Sequence, residues 1–345
     1  MMNKTDISFI IPAYNASGTI VRTLDSIRYV AEGKVAYEVV VVDDCSPDNT
    51  VAVVEGWKSK NEDCSLVILR QEKNHRQGAA RNRAIREAKG EYVMFIDADD
   101  TVAEGLIDVV RFAQEHHLDA CMGSMAWIAN GEIEKMTVPT MPDRTILSGR
   151  DLGEEYYDTA INNYPVIYIC RTKHIIDNSL FFAEDRRLED GDWSAIHAYS
   201  CDKIGFVNAV IYNYFHAESV TSTTNTFSPD VLGDWLNMAY RQWEFADGIK
   251  ADAPKFYEKL VFACRYYVNG QLSFRRMTRF SPKQARVLFR IMGEDARIYM
   301  QGQEGLNVFP RLCLTYPKLA IVVVAMTYPI GSMMRGIVHA LRGKK

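Results

Sequence analysis

Residues 90–100 read Gly-Glu-Tyr-Val-Met-Phe-Ile-Asp-Ala-Asp-Asp, and this stretch decides the fold. Its apolar centre, residues 92–96, is typical of a strand buried on both faces of a parallel sheet. Similar short apolar runs occur at residues 7–11, 38–42 and 66–69, and helical patterns lie between them at residues 19–29, 50–57 and 79–88. The alternation predicts an α/β protein with a Rossmann-like, mostly parallel sheet flanked by helices.

Polar residues follow each of these predicted strands. The segments are Pro12-Ala-Tyr-Asn15, Asp43-Asp44-Cys-Ser46 and Asp97-Ala-Asp-Asp100. Parallel α/β sheets bind ligands beyond the carboxyl ends of their strands, where loops from neighbouring units meet. We therefore expect the functional site at this edge of the sheet.

Asp97 and Asp99 flank Ala98 at the end of the fourth predicted strand. Two carboxylates with one residue between them can share a divalent cation that bridges a diphosphate. Helix capping is the alternative, because Thr101-Val-Ala-Glu104 fits a capping box. The pattern assigns Asp100 to capping and leaves Asp97 and Asp99 open between the two roles.

Three further groups of polar residues have a functional and an ordinary interpretation. Asp44 could accept a hydrogen bond from a pyrimidine or a ribose, while Ser46 is available to cap the next helix. Arg81, at the start of the third helix, could bind an anion or lie on a solvated basic face. Glu189-Asp190-Gly-Asp-Trp193 could place a general base in a cleft or cap the following helix.

Composition excludes several classes of protein. The chain has 345 residues, enough for two domains, and its net charge of -4 shows no basic excess for nucleic acid. Its seven cysteines are scattered without a CxxC pair, which predicts reduced thiols in a cytosolic protein rather than disulfides or a zinc site. No GxGxxG loop, P-loop, GxSxG or HExxH motif is present. The polar residues 1–6 predict no secretory signal in this stretch.

The character of the sequence changes near Phe227. Beyond it, helical patterns cover residues 230–247, 253–274 and 282–300. No acidic residue follows Glu304, and residues 319–334 are apolar but short for a bilayer span and interrupted by proline and glycine. We expect no transmembrane helix there, and either a peripheral contact with a membrane or a buried helix.

Five of the segments occur together in a fixed order. They are Ile10-Ile-Pro-Ala-Tyr-Asn15, Val41-Val-Asp-Asp-Cys-Ser46, Gly78-Ala-Ala-Arg-Asn82, residues 90–100 and Leu188-Glu-Asp190. Over about residues 5–225, the set resembles the family-2 inverting glycosyltransferases of the GT-A fold. The resemblance implies a nucleotide-sugar donor (UDP favoured), a divalent metal (Mn²⁺ or Mg²⁺) and direct displacement at the anomeric carbon.

The resemblance also implies roles for individual residues. On the donor side it implies nucleotide-sugar contacts by Pro12, Tyr14, Asp44, Arg81, Asp97 and Ala98. It implies metal binding by Asp99 and His216, and Asp190 as the catalytic base. It places Glu189 and Trp193 on the acceptor side. Phe215 stands where many relatives have arginine, which departs from the pattern.

The expected organisation is a GT-A glycosyltransferase domain over residues 1–227 and a helical region over residues 228–345. Within the first domain, residues 1–125 would bind the nucleotide-sugar and residues 126–227 the acceptor. The expected partners are a nucleotide-sugar and a glycan or lipid-linked acceptor for cell-surface polysaccharide, with the protein cytoplasmic at the inner face of the membrane. Two alternatives stay open: a catalytically silent nucleotide-sugar-binding scaffold, and a sugar nucleotidyltransferase, although Pro12–Asn15 is not the glycine-rich loop of the latter.

Overall fold

A single mixed sheet of ten strands dominates the part of the chain that the computed structural model describes, residues 5–160, 164–215 and 227–328. The strands are β1 (Ile7–Ala13), β2 (Tyr37–Asp43), β3 (Leu66–Arg70), β4 (Tyr92–Phe95), β5 (Thr101–Val102), β6 (Ala120–Ala129), β7 (Glu132–Thr137), β8 (Thr145–Leu147), β9 (Tyr168–Arg171) and β10 (Ile204–Phe215). Their order is β3-β2-β1-β4-β9-β6-β10-β5, with β7 paired to β6 and β8 paired to β10.

The backbone of the sheet is parallel. Strand β1 pairs in parallel with β2 and β4, β2 with β3, and β6 with β10. Strand β9 lies between β4 and β6 and is antiparallel to both, so β4 and β6 run in the same direction. Six strands therefore run the same way: β1, β2, β3, β4, β6 and β10. All seven residues of β1 are buried, as expected for a strand covered by helices on both faces. The structure confirms the α/β fold class with a mostly parallel sheet flanked by helices.

The helices of the sheet region form two groups. They are α1 (Ile20–Ala31), α2 (Thr50–Lys60), α3 (Arg76–Glu87), α4 (Leu106–His116), α5 (Gly149–Ala160), α6 (Thr172–Asp177) and α7 (Glu189–Ser200). Helix α1 contacts α2 and α4, whereas α3 contacts α6 and α7. The hairpin of β6 and β7 follows α4 along the chain, and β8 comes after it.

The chain divides into two compact units, Met1–Val220 and Thr221–Lys345. The second unit contains α8 (Pro229–Ile249), α9 (Pro254–Gln271), α10 (Phe274–Met277), α11 (Pro282–Met292), α12 (Glu294–Gln301) and α13 (Val308–Thr315), and residues 317–328 are also helical. The single helix expected at residues 282–300 is wrong: Gly293, at φ +79°, breaks it, because a left-handed residue cannot continue an α-helix. None of the helices in the described ranges is long and apolar enough to cross a bilayer.

Candidate active site

The loops after β1 and β2 meet at the carboxyl edge of the sheet. Pro12 lies within β1, and Tyr14, just beyond the strand, is 53% exposed. The next residue, Asn15, has φ +55° and donates its backbone N–H to Ser46 Oγ at 3.1 Å. The prediction that Ser46 caps a helix is therefore wrong: α2 begins at Thr50, and the Ser46 hydroxyl joins the two loops instead.

Asp44 is held rigidly at this edge. The residue is only 3% exposed. Its Oδ1 accepts hydrogen bonds from Gln71 Nε2 at 2.7 Å and from the His75 backbone N–H at 2.8 Å. Burial raises the pKa of Asp44, and the backbone hydrogen bonds of His75 and Arg76 oppose that shift. Gln71 and His75 therefore hold Asp44 against the segment that follows β3.

A buried arginine links the end of β4 to the start of α7. Arg81, on α3, donates from Nη2 to Asp97 Oδ1 at 3.0 Å and from Nη1 to Glu189 Oε1 at 2.7 Å. The Arg81 side chain is 3% exposed, Glu189 8% and Asp97 27%. Arg81 therefore pairs with two carboxylates from distant parts of the chain, and both of its terminal nitrogens are engaged.

Helix α3 and the segment before α7 approach closely at a glycine. A Cβ added to Gly78 would lie 2.1 Å from the Ala183 carbonyl oxygen and 3.3 Å from Glu189 Cβ. Asn82, one turn further, accepts from the Phe182 N–H at 2.8 Å and donates to the Phe182 carbonyl oxygen at 2.9 Å. The segment Gly78-Ala-Ala-Arg-Asn82 thus holds the start of α7 at the site through its glycine, its arginine and its asparagine.

Asp190 occupies the first turn of α7, immediately after Glu189. It is partly exposed, whereas Glu189 is buried. Burial raises the pKa of Asp190, the Arg81 guanidinium opposes this, and the Asp97 carboxylate adds to it. Asp190 is therefore a carboxylate with a raised pKa beside a cation, at the mouth of the site, which suits proton transfer.

The sequence pattern predicts that Asp100 caps a helix, and this prediction is wrong. Asp100 instead joins β4 to β10. Its Oδ2 accepts from the Tyr212 hydroxyl at 2.6 Å, and its Oδ1 accepts from the Phe215 N–H at 2.8 Å. The Tyr212 oxygen also accepts from the Asp97 N–H at 3.2 Å. Capping fails because Thr101 and Val102 extend into strand β5. The Asp100–Tyr212 pair instead fixes the loop that carries Asp97 and Asp99.

Asp97 and Asp99 offer carboxylate oxygens, the ligand type that hard divalent cations prefer. Asp99 reaches the surface, while Ala98 between them is 8% exposed. The protein around Asp99 and the nearby Asp97 carboxylate both raise the pKa of Asp99, so a cation placed between the two acids would relieve an existing repulsion. His216, the other expected metal ligand, lies outside the described residues.

Two residues that the sequence predicts at the acceptor side lie in the interior. Trp193 is 2% exposed, stacks on Phe182 with ring centroids 4.3 Å apart and donates from Nε1 to the Leu180 carbonyl oxygen at 2.9 Å. Glu189 is bound to Arg81. Trp193 also meets the Phe95 ring of β4 at 5.7 Å, so in this structure Trp193 and Glu189 support the site rather than line it. Both terminal nitrogens of Arg81 are likewise engaged and leave none for a diphosphate.

Arg22 is a site residue that the sequence did not indicate. It donates from Nη2 to the Asp99 carbonyl oxygen, and its guanidinium lies 3.8 Å from the centroid of the Phe215 ring. A cation therefore stands beside the acidic loop although position 215 carries phenylalanine. The periodicity of α1 could have placed Arg22 on the helix surface, but its neighbours come from residues remote in sequence.

Comparison with known families identifies the class of protein. The family described as "Glycosyl transferase family 2" matches residues 8–180, which is half of the chain. The chain belongs to glycosyl transferase family 2.

Curated relatives extend this similarity. The chain is 28% identical over 281 residues to the poly(ribitol-phosphate) beta-N-acetylglucosaminyltransferase TarS of Staphylococcus aureus, covering 80% of this chain and 46% of the relative. It is 35% identical over 146 residues to a poly(ribitol-phosphate) beta-glucosyltransferase of Bacillus spizizenii, covering 42% of this chain and 23% of the relative. The chain thus spans less than half the length of these two relatives.

Solved structures share the fold. Residues 1–349 of S. aureus TarS in complex with UDP-GlcNAc match with a TM-score of 0.61 and 24% identity, covering 95% of this chain and 92% of that one. The mannosyltransferase PcManGT from Pyrobaculum calidifontis, in complex with GDP-Man and Mn²⁺, matches with a TM-score of 0.53 and 16% identity, covering 95% and 88%. At these identities the likeness concerns the fold alone.

Proposed function

We propose that this protein is a metal-dependent, inverting glycosyltransferase that transfers a sugar from a UDP-sugar to a hydroxyl group of a cell-surface glycan or a lipid-linked acceptor. The observation that carries the proposal is the Asp97–Arg81–Glu189 bridge, which brings the acidic loop after β4 together with Asp190. Family membership supports glycosyl transfer, and the names of the curated relatives support a polyol-phosphate or related polymer as acceptor.

The donor would bind across the ends of β1, β2 and β4. Asp44 offers its second carboxylate oxygen to the imide N–H of a uracil, because Gln71 and His75 occupy the first. The exposed ring of Tyr14 is free to stack on the base. Both residues follow strand ends, where loops in this class of sheet bind nucleotides.

Asp97 and Asp99 would hold the divalent cation, whose chemistry is Lewis-acid stabilisation of negative charge on the departing diphosphate. On the protein's side, Arg81 keeps the Asp97 carboxylate oriented and leaves one of its oxygens unengaged by the guanidinium. The Tyr212 hydroxyl accepts from the Asp97 N–H and donates to the Asp100 carboxylate. The loop therefore needs little reorganisation when the donor binds.

Asp190 would act as the base for the acceptor. The acceptor oxygen forms a bond to the anomeric carbon, the bond from that carbon to the diphosphate oxygen breaks, and its electron pair leaves with UDP. The hydroxyl proton passes to the Asp190 carboxylate. Attack from the face opposite the diphosphate inverts the anomeric centre, and one displacement needs no covalent intermediate.

Turnover with a panel of donors tests this function. We expect UDP release from a UDP-sugar in the presence of a ribitol-phosphate polymer and Mn²⁺, loss of release with EDTA, and a product whose anomeric configuration, read by NMR, is opposite to that of the donor. UDP binding without release from any sugar and acceptor would instead support the silent scaffold. Asp99→Asn serves as the metal-site variant, and Asp185→Asn, on an exposed carboxylate, as its control.

We also propose a peripheral membrane contact through the C-terminal region. Residues 317–328 are helical, and the exposed side chains of Leu319, Val322 and Met326 recur at spacings that share a helix face. Residues 329–345, which carry four more cations, lie outside the described residues. Flotation with anionic vesicles tests the contact: we expect the full chain to float and the triple variant Leu319→Ser/Val322→Ser/Met326→Ser to stay in solution, and equal partitioning would contradict it.

A further inference from the structure

Three metal-ligating side chains meet at the C-terminal end of α7, the end opposite Glu189 and Asp190. His197 lies on α7 and Cys201 follows the end of that helix, four residues later, so both project from the same helical face. His174 comes from α6. One ring nitrogen of each histidine and the Cys201 sulfur all lie within 4.8 Å of one another.

His197 lacks the hydrogen bonds that a buried imidazole needs. The residue is 1% exposed, and neither Nδ1 nor Nε2 has a hydrogen-bond partner in the described part of the chain. The ring is nevertheless well held: it stacks on Trp193 at 4.5 Å and 6° and meets the Tyr168 ring at 6.3 Å and 78°. Leaving a buried polar group unpaired costs about 1–3 kcal/mol, so an ordered ring with two unpaired nitrogens points to a missing ligand.

The donor set suits a soft or borderline cation. Burial lowers the pKa of His197 to about 3 and also lowers that of His174, so both imidazoles are neutral at pH 7 and keep a lone pair for a metal. Burial raises the pKa of the Cys201 thiol, so the thiol stays protonated until a cation displaces its proton. Two imidazoles and a thiolate are typical zinc ligands, whereas Mg²⁺ and Mn²⁺ prefer oxygen.

The neighbours of His174 and the spacing of the three ligand atoms show how the cluster would have to change on binding zinc. Asp119 Oδ1 lies 4.0 Å from His174 Nδ1, beyond hydrogen-bond distance, and Asn178 Nδ2 contacts the same nitrogen at 3.2 Å. A small rearrangement would let the Asp119 carboxylate orient a metal-bound His174. Ligand atoms around tetrahedral zinc lie roughly 3.3–3.8 Å apart, so the cluster would contract by about 1 Å. Zinc would also replace the 3.1 Å contact between His174 Nε2 and Ser200 Oγ.

We propose that His174, His197 and Cys201 supply three ligands of a zinc ion, with water as the fourth, and that this ion fastens the C-terminal end of α7 to α6. The opposite end of α7 carries Glu189 and Asp190, so the zinc would anchor the catalytic helix without contacting the substrate. The site is distinct from Asp97 and Asp99 in position and in ligand type. It does not depend on the proposed transferase activity.

Zinc binding to the tag-free full chain tests the proposal. After treatment with EDTA and its removal, we expect the protein to take up one Zn²⁺ per chain, measured by elemental mass spectrometry, and its Tm to rise by roughly 5–10 °C at about 100 times Kd. Co²⁺ should give a thiolate-to-cobalt charge-transfer band. Cys201→Ala and His197→Gln should lose uptake and band, while Cys121→Ala, at an equally buried cysteine, keeps both.

Thiol labelling covers the case in which Cys201→Ala does not fold. In the wild-type chain Zn²⁺ should slow modification of Cys201 at least tenfold relative to EDTA, while the exposed Cys45 reacts equally in both. Equal Cys201 labelling with and without zinc would overturn the proposal. So would zinc uptake by a folded Cys201→Ala variant at the wild-type stoichiometry, which would show that other residues bind the ion.

Discussion

The Arg81 guanidinium lies 2.7 Å from Glu189 Oε1, and this ion pair fixes the first turn of helix α7 against helix α3. Both side chains are buried, with exposed fractions of 3% and 8%. Because Asp190 follows Glu189 directly, the position of the proposed base depends on a contact that the base itself does not make. Arg81 is thus a positioning residue, and its own partners, Asp97 and Glu189, come from opposite sides of the site.

Replacing Arg81 by methionine should destabilise the protein. It leaves Glu189 buried without its cation, which costs about 3 kcal/mol and should lower Tm by roughly 6–12 °C. The double variant Arg81→Met/Glu189→Leu should recover part of this loss, because the unpaired carboxylate is gone. Arg83→Met, on the same helix but bonded to the Arg70 carbonyl oxygen, is the control. Equal thermal unfolding of Arg81→Met and wild type would contradict the role.

Gly78→Ala should disturb the site through the backbone. The added Cβ would lie 2.1 Å from the Ala183 carbonyl oxygen, so the segment leading to α7 must move. We expect a loss of about 1–3 kcal/mol of unfolding free energy together with reduced turnover. Gly56→Ala, in α2 with nothing within 4 Å of the new Cβ, should be neutral or slightly stabilising. Chemical denaturation of the two variants, side by side, measures their unfolding free energies, and equal values would contradict this role of Gly78.

Asp44→Asn should change which base is bound. The two donors at Oδ1 will select the amide oxygen of the asparagine, so that its NH₂ group takes the place of the free carboxylate oxygen. A donor there repels the imide N–H of uracil and matches N3 of cytosine. Calorimetry should show UDP affinity falling about tenfold or more while CDP affinity rises. A parallel loss of both affinities would mean that Asp44 shapes the pocket without contacting the base.

The pKa reported by the acidic limb of the pH–rate profile should lie above the ordinary pKa of aspartate. Burial raises the pKa of Asp190, and a general base is active only when deprotonated. Activity is therefore lost as pH falls through this raised pKa, at a higher pH than about 3.9. The dependence of kcat/KM on pH between pH 4 and 8 measures this pKa. Since Arg81 lowers this pKa, a folded Arg81→Met variant should show the limb at still higher pH, and an unchanged limb would argue against the pair.

The sequence predicts the framework of this protein well. Runs such as residues 92–96 are continuous and apolar, so period and composition alone indicate buried parallel strands, and the carboxyl ends of parallel strands necessarily share an edge. The acidic residues at that edge could thus be identified as site candidates before any contact was known.

What escaped prediction involves contacts between residues far apart in sequence. Arg81 and Glu189 are separated by 108 residues, and Tyr212 and Asp100 by 112, so local pattern cannot distinguish a buried, paired arginine from a surface one, nor a strand-joining aspartate from a helix cap. The burial of Trp193 likewise depends on partners outside α7, because its ring stacks on Phe182 and its Nε1 donates to the Leu180 carbonyl oxygen.

The measurement that tests the central claim most directly is the turnover of Asp190→Asn beside its UDP affinity in the presence of Mn²⁺. Asparagine keeps the size of the side chain and removes the base, so we expect UDP affinity within about threefold of wild type and turnover reduced by about 10²–10⁴-fold. Asp185→Asn, an exposed neighbour outside α7, should match wild type in both. An Asp190→Asn protein that binds UDP and turns over at the wild-type rate would contradict the account, because the base would then lie elsewhere.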